Sequence, residues 1–145
     1  MKILITTLFL LTGSASYAAE PQEWTLNQST EDFIVGGWKL EVFTTTEDGV
    51  TKDWCDGLHG LIMYTKSGQM SVAINCDESQ KDKNVYYAGN YKVDQNKVSH
   101  LVTNSINPDL IDKTLVRSAT HRGRNTLIYE GNLNGSGFFV EWTRK

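Results

Sequence analysis

The sequence predicts an all-β fold, an eight-stranded antiparallel up-and-down barrel that follows a short N-terminal helical turn. Beyond residue 36, apolar and polar residues alternate over short segments, and almost no helical periodicity is present. Turn-forming residues interrupt these segments at short intervals, as in barrels and sandwiches. Eight antiparallel strands can close on themselves, which removes both exposed sheet edges, and the interior of such a barrel can hold one small ligand.

The turns predict how the strands are connected. The predicted strands span residues 38–44, 59–65, 70–76, 85–93, 98–105, 114–121, 126–130 and 137–144. Tight turns are expected at 66–69, 94–97 and 122–125, and longer loops at 45–58, 77–84, 106–113 and 131–136. Alternate connections of a meander lie at opposite ends. One end of the barrel should therefore be narrow and closed, and the other rimmed by loops and open.

The N-terminal segment is typical of a secretory signal. Met1-Lys2 gives a positive start, an apolar run covers residues 3–11, and Ser16-Tyr17-Ala18 places small residues where a signal peptidase cleaves. We expect cleavage after Ala18 and a periplasmic or secreted protein; a buried N-terminal strand is the alternative. The run is too short to span a bilayer, and no second candidate span follows.

Residues 19–28 are predicted to form a loose leader and residues 29–145 the barrel domain. Ser29 and the acidic residues after it predict a capped helical turn that ends near Val35, before Gly36-Gly37.

Charge and cysteine content restrict the partners. The formal net charge is −3, and loss of the signal's single lysine makes it −3 − 1 = −4, which disfavours nucleic acid and anionic membranes. Two cysteines and three scattered histidines do not make a zinc site, so we expect no metal. We also expect a monomer without a cofactor. In an oxidising compartment Cys55 and Cys76 can pair; two buried free thiols are the alternative.

The two ends of the barrel sequence are expected to meet. The first strand starts at the closed end and the last strand finishes there, so Trp38 and Arg144 should lie in contact beside the seam and act structurally.

Several motifs carry a family resemblance. Gly36-Gly37-Trp38 resembles the Gly-x-Trp opening of lipocalins, and Arg144 matches the arginine that packs over that tryptophan in calycins. More narrowly, the chain resembles the bacterial and fungal lipocalin-like domain family over nearly all of its mature length. The matching stretches are 36–40, 60–72, 87–93 and 142–144. The resemblance implies the barrel fold; it implies little about function, because most members of that family are uncharacterised.

Strand register predicts which side chains face the interior. Across the turn at 66–69, Leu61 should lie opposite Ile74, Met63 opposite Val72, and Thr65 opposite Met70, on an inward apolar face. Across the turn at 94–97, Tyr91 should lie opposite His100, Gly89 opposite Val102, and Tyr87 opposite Asn104. Gly89 would leave room for a ligand. Plain core filling, and a self-satisfied Tyr–His cluster that stiffens the barrel, are the alternatives.

Arg117 has two possible orientations. The expected register places it opposite Glu130. Facing inward, Arg117 could bind a ligand carboxylate or carbonyl; facing outward, it would form a surface ion pair worth under about 1 kcal/mol. An arginine recurs near this place in the family that the chain resembles. The candidate ligand-binding residues are Met63, Met70, Val72, Tyr87, Tyr91, His100, Val102, Asn104 and Arg117.

These residues favour a binding protein for a small apolar or amphipathic molecule, such as a fatty acid, an isoprenoid or an aromatic metabolite. An isomerase or cyclase of the lipocalin-like kind is one alternative, with His100 as a base beside Tyr91. The sequence lacks the usual hydrolase, phosphate-loop, dinucleotide and metalloprotease motifs. A protein-interaction module is another alternative, using Trp54, Asp53 and Asp56 on the open rim.

Overall fold

The computed structural model describes residues 29–145, so the predicted signal sequence, its cleavage site and the leader lie outside the described residues. The helix is α1 (Thr30–Ile34), and 3₁₀ turns cover Glu78–Lys83 and Pro108–Leu110. The strands are β1 (Gly36–Glu47), β2 (Val50–Asp53), β3 (His59–Tyr64), β4 (Gln69–Asn75), β5 (Val85–Asp94), β6 (Lys97–Ser105), β7 (Thr114–Arg122), β8 (Thr126–Leu133) and β9 (Ser136–Arg144).

The strands form the predicted closed barrel. Seven of the eight barrel strands, β3 to β9, pair antiparallel in sequence order, and β1 pairs with both β3 and β9 to close the sheet. The eight-stranded meander and the short helix before it are therefore confirmed. Apolar side chains of alternate residues point into the interior, and α1 covers the closed end with Phe33 and Ile34 buried.

A ninth strand was not predicted. The first part of β1 pairs with β3, but residues 44–47 extend beyond β3 and pair with β2. Asp48 and Gly49 connect β1 to β2 with φ of 50° and 77°, as a two-residue type I′ turn requires. Part of the expected loop at 45–58 is therefore a hairpin. The expected long loop at 131–136 is also wrong, because Asn134 and Gly135, at φ of 52° and 92°, make a tight turn of the same kind.

Trp38 and Arg144 meet at the seam. They are register partners, and the Arg144 guanidinium lies 4.1 Å from the centre of the Trp38 ring. Arg144 donates hydrogen bonds to the carbonyls of Phe33 (2.6 Å) and Val35 (3.1 Å), while Trp38 Nε1 donates to the Ile34 carbonyl (2.7 Å). The pair thus satisfies carbonyls that the end of a short helix leaves unpaired, and it fixes α1 across the closed end.

The register of β3 and β4 differs from the prediction by one residue. Tyr64 pairs with Met70 and Ile62 with Val72, because the connection is a shorter turn with Gly68 at φ 89°. A slip of one residue moves every side chain of a strand to the other face. Met63 is 55% exposed and Leu61 43% exposed, so the prediction that they face the interior is wrong.

Asn104 is also displaced from its predicted position. Tyr91 lies opposite His100 and Gly89 opposite Val102 as expected, but a bulge follows, and Asn104 pairs with Ala88 instead of Tyr87. Asn104 is exposed on the outside of the barrel.

The role expected for Gly89 is wrong too. A Cβ atom at this position would lie 1.9 Å from the Leu101 carbonyl oxygen. The space beside Gly89 is therefore filled by the backbone of β6, and it is not available to a ligand.

A disulfide joins Cys55 and Cys76, with sulfurs 2.00 Å apart. Cys55 lies in the segment between β2 and β3, and Cys76 directly follows β4. The bridge ties residues 54–58, here called the crossing segment, to the end of β4.

Candidate ligand-binding cavity

A cavity of about 500 Å³ occupies the open half of the barrel. Its wall is largely apolar, and the loops of the open end form its mouth. The wall includes Phe43, Ile62, Val72, Ile74, Leu115 and Val140, and the mouth includes Ile106, Leu110, Leu133 and Asn134. The volume falls in the range of about 300–1,000 Å³ that is common for small-molecule sites.

Trp54 lies at the mouth of the cavity. Its ring stacks on Phe43 at a centroid distance of 4.7 Å. Trp54 Nε1 donates to the Lys83 carbonyl (2.9 Å), and Lys83 Nζ donates to the Trp54 carbonyl (3.2 Å). These contacts, together with the disulfide at the neighbouring Cys55, hold the crossing segment against the barrel.

A polar network centred on His100 lies at the inner end of the cavity. His100 is fully buried on β6. Its Nε2 contacts the Tyr64 hydroxyl (2.7 Å), and its Nδ1 contacts both the Tyr87 hydroxyl (3.0 Å) and Arg117 Nη1. The Tyr129 hydroxyl donates to the Tyr64 hydroxyl (2.7 Å). Five different strands therefore contribute to one buried cluster, whose members Tyr87, Arg117 and Tyr129 line the cavity.

The neighbours of His100 determine its protonation state. A guanidinium can only donate, so Nδ1 must accept from Arg117 and the proton of the neutral ring lies on Nε2. Two causes hold the pKa of His100 well below its usual value: burial, which is the larger, and the positive charge of Arg117. Burial also raises the pKa of the Tyr64 and Tyr129 hydroxyls, so all three groups are neutral near pH 7.

Arg117 faces the interior, which decides between its two predicted orientations. Ser118, not Arg117, pairs with Glu130, because the β7–β8 register also differs by one residue from the expected one. The guanidinium lies 5.8 Å from the centre of the Tyr129 ring. Burial lowers the pKa of Arg117, but the neighbouring phenol oxygens outweigh that effect and leave it above its usual value. Arg117 is therefore a permanent positive charge at the inner end of the cavity.

The structure divides the predicted ligand-binding residues into five groups. Val72, Tyr87 and Arg117 line the cavity. His100 lies directly behind Tyr87 and Arg117, whereas Tyr91 donates to the Thr65 carbonyl (2.7 Å) near the closed end. Met70 and Val102 are buried in the core and do not line the cavity. Met63 and Asn104 lie on the outside.

Sequence reasoning missed Tyr64 and Tyr129 as members of the site. Both lie on strands whose register was predicted one residue away from the observed one. The three-residue connections with Gly68 and Gly123 at positive φ are the signal that could have placed them. Trp142 also lines the cavity.

Within residues 29–145, no group of three or more histidine, cysteine or acidic side chains is arranged to hold a metal ion. In the same part of the chain, no helix has the length and apolar character needed to cross a membrane.

No model of a known protein family matches the chain, and no curated protein does. Among solved structures, a redesigned β-barrel is 16% identical, with a TM-score of 0.49, over 81% of this chain and 99% of its own. An uncharacterised protein from Bacteroides eggerthii is 15% identical, with a TM-score of 0.45, over 74% of this chain and 98% of its own.

The buried neutral His100 predicts a pH-dependent stability. Its folded-state pKa is depressed, so below pH about 6.5 the unfolded chain binds a proton that the folded protein does not. We expect the free energy of unfolding to fall as pH decreases from 7 towards 5, by up to about 1.4 kcal/mol per unit from this group.

Urea unfolding across this pH range measures the effect, and His100→Gln should remove that part of the slope. His59→Gln is the control, because His59 is exposed and its ring contacts only the Gly57 carbonyl (2.8 Å) among the described residues. Equal slopes for wild type and His100→Gln would contradict the prediction.

Proposed function

We propose that this protein is exported and binds a small apolar or amphipathic molecule in the barrel cavity. The observation that carries the proposal is the cavity itself: about 500 Å³ of the interior is not filled by side chains. An apolar wall with a few polar groups at one end is the common form of a small-molecule site.

Two features of the sequence support the same function. The signal-like segment at residues 1–18 suits a protein that carries or scavenges such a molecule across an aqueous space. The Gly36-Gly37-Trp38 opening and Arg144 resemble lipocalins, whose barrels enclose ligands. We therefore place the protein among lipocalin-like binders.

The proposal is tested by native mass spectrometry of protein purified from its own host, followed by extraction of any bound compound. Binding of the neutral dye N-phenyl-1-naphthylamine provides a second measurement in vitro. We expect a bound small molecule in the first experiment and a saturable rise in dye fluorescence in the second.

A pair of neighbouring substitutions on β7 tests whether the dye enters the cavity. Leu115 lines the cavity, whereas Val116 is 53% exposed on the outer face. Leu115→Trp should fill the space and weaken dye binding at least tenfold, while Val116→Trp should leave the affinity unchanged. No bound compound and no dye binding would refute the proposed function.

A further inference from the structure

The inner end of the cavity has more hydrogen-bond donors than acceptors. Arg117 carries five N–H groups and accepts none. Tyr87 and Arg117 both approach His100 Nδ1, which has a single lone pair, so the two cannot both be satisfied there. The Tyr87 side chain is a second hydrogen-bond partner of Arg117. These two partners are fewer than the five N–H groups of Arg117, and both Tyr87 and Arg117 line the cavity.

A second unsatisfied donor belongs to Trp142, a residue of the cavity wall. Trp142 is 2% exposed, and its Nε1 has no hydrogen-bond partner among the described residues. A buried N–H without an acceptor is costly, so such groups in folded proteins commonly mark the place of a missing partner.

The charge at this end is also unbalanced. Within residues 29–145 the ion pairs are Lys39–Glu41, Lys81–Glu78 and Arg122–Glu141, on the outer surface. None includes Arg117, whose described polar neighbours are the neutral His100 and tyrosine side chains. The cavity beside Arg117 is large enough for a ligand to supply the negative charge that the described residues do not provide.

We propose that the ligand is an amphipathic carboxylate whose head group binds Arg117 and Tyr87 at the inner end of the cavity, with its apolar part directed to the mouth. The proposal rests on the proposed function and specifies the ligand class. A carboxylate matches the planar guanidinium fork and can accept a further hydrogen bond from the Tyr87 hydroxyl. The apolar part then contacts Val72, Ile74 and Leu115 on the way to the mouth.

The test compares two ligands that differ only in the head group. Decanoate and decan-1-ol are titrated at pH 8 as competitors of N-phenyl-1-naphthylamine, the neutral dye. We expect decanoate to displace the dye at least tenfold more effectively than decan-1-ol, as a charge-assisted interaction predicts. Acetate should not compete, because it shares the anionic group and lacks the apolar chain.

Variants assign the preference to Arg117. Arg117→Gln should abolish the difference between the two competitors, each measured relative to the dye affinity of the same variant, and Arg117→Lys should retain part of it because the positive charge remains. Arg122→Gln is the matched control on the same strand, since Arg122 pairs with Glu141 on the outer surface, and it should keep the full preference. Circular dichroism verifies that each variant is folded.

The outcomes separate this proposal from the proposed function. If the dye binds and decanoate competes no better than decan-1-ol, or if the preference persists in Arg117→Gln, the carboxylate proposal is refuted and the binding function stands. If acetate competes as well as decanoate, the site binds small anions without an apolar chain, and the proposal of an amphipathic carboxylate is also refuted. If neither the dye nor a competitor binds to the wild-type protein, both proposals fail.

Discussion

Gly89→Ala is expected to lower the free energy of unfolding by about 3 kcal/mol or more, a loss typical of severe backbone conflict. A Cβ atom there would lie 1.9 Å from the Leu101 carbonyl oxygen and 3.0 Å from the Thr103 amide nitrogen. Both are backbone atoms of β6 at the bulge, so a side-chain rotation cannot relieve the overlap. The overlap can be relieved only if β5 and β6 move apart. Their pairing also positions Tyr91 and His100, so these residues would be displaced as well.

Gly137→Ala provides the matched control. Gly137 also lies in a barrel strand, but its Cβ would come no closer than 3.8 Å to the nearest atom, the Thr46 carbonyl oxygen. We expect its effect to stay below about 1 kcal/mol. Urea unfolding followed by far-ultraviolet circular dichroism measures both variants. A loss for Gly89→Ala that is as small as the loss for Gly137→Ala would contradict the prediction.

The eight barrel strands and their meander order could be predicted because both depend on local signals. Alternation marks the strands, and turn residues mark the ends of each hairpin. The same signals would have revealed β2 and the tight β8–β9 connection. Asp48-Gly49 and Asn134-Gly135 are the dipeptides that favour two-residue type I′ turns, but both were assigned to longer loops.

Register was harder to predict than strand position. Reading the connections at 66–69 and 122–125 as four residues instead of three shifted two hairpins by one residue, which reversed the facing of Met63 and obscured that of Arg117. The bulge that turns Asn104 outward leaves no signal as strong as a turn dipeptide. It depends on how β5 and β6 curve together within the closed barrel.

The candidate site could be predicted only in part for the same reason. Tyr91 and His100 were placed correctly relative to the interior because the β5–β6 register was correct between Gly89 and Asp94. Tyr87 was placed correctly because it follows the alternation of side chains along β5, although its partner on β6 was not. The His100 cluster also requires Tyr64 from β3, Arg117 from β7 and Tyr129 from β8. Such convergence depends on barrel closure, which no single hairpin encodes.

Loss of the Cys55–Cys76 disulfide is expected to destabilise the protein by about 3 kcal/mol in the chain-entropy model. The two cysteines are 21 residues apart in the sequence, so the bridge restricts a loop of moderate length in the unfolded chain. Cys55 directly follows Trp54, whose ring stacks on Phe43 at the cavity mouth. Without the bridge, the crossing segment is held at this point mainly by the Trp54 and Lys83 hydrogen bonds. We therefore expect weaker dye binding as well.

The double variant Cys55→Ala/Cys76→Ala tests this expectation by urea unfolding with and without dithiothreitol. The reductant should lower the stability of the wild-type protein to about that of the double variant and leave the variant unchanged. Alanine is the suitable replacement because both cysteines are buried and a serine hydroxyl would add a polar group that needs a partner. Thiol counting on the unfolded, non-reduced protein provides the independent check. Two free thiols there, or a wild-type stability that does not respond to the reductant, would show that the bridge does not stabilise this barrel.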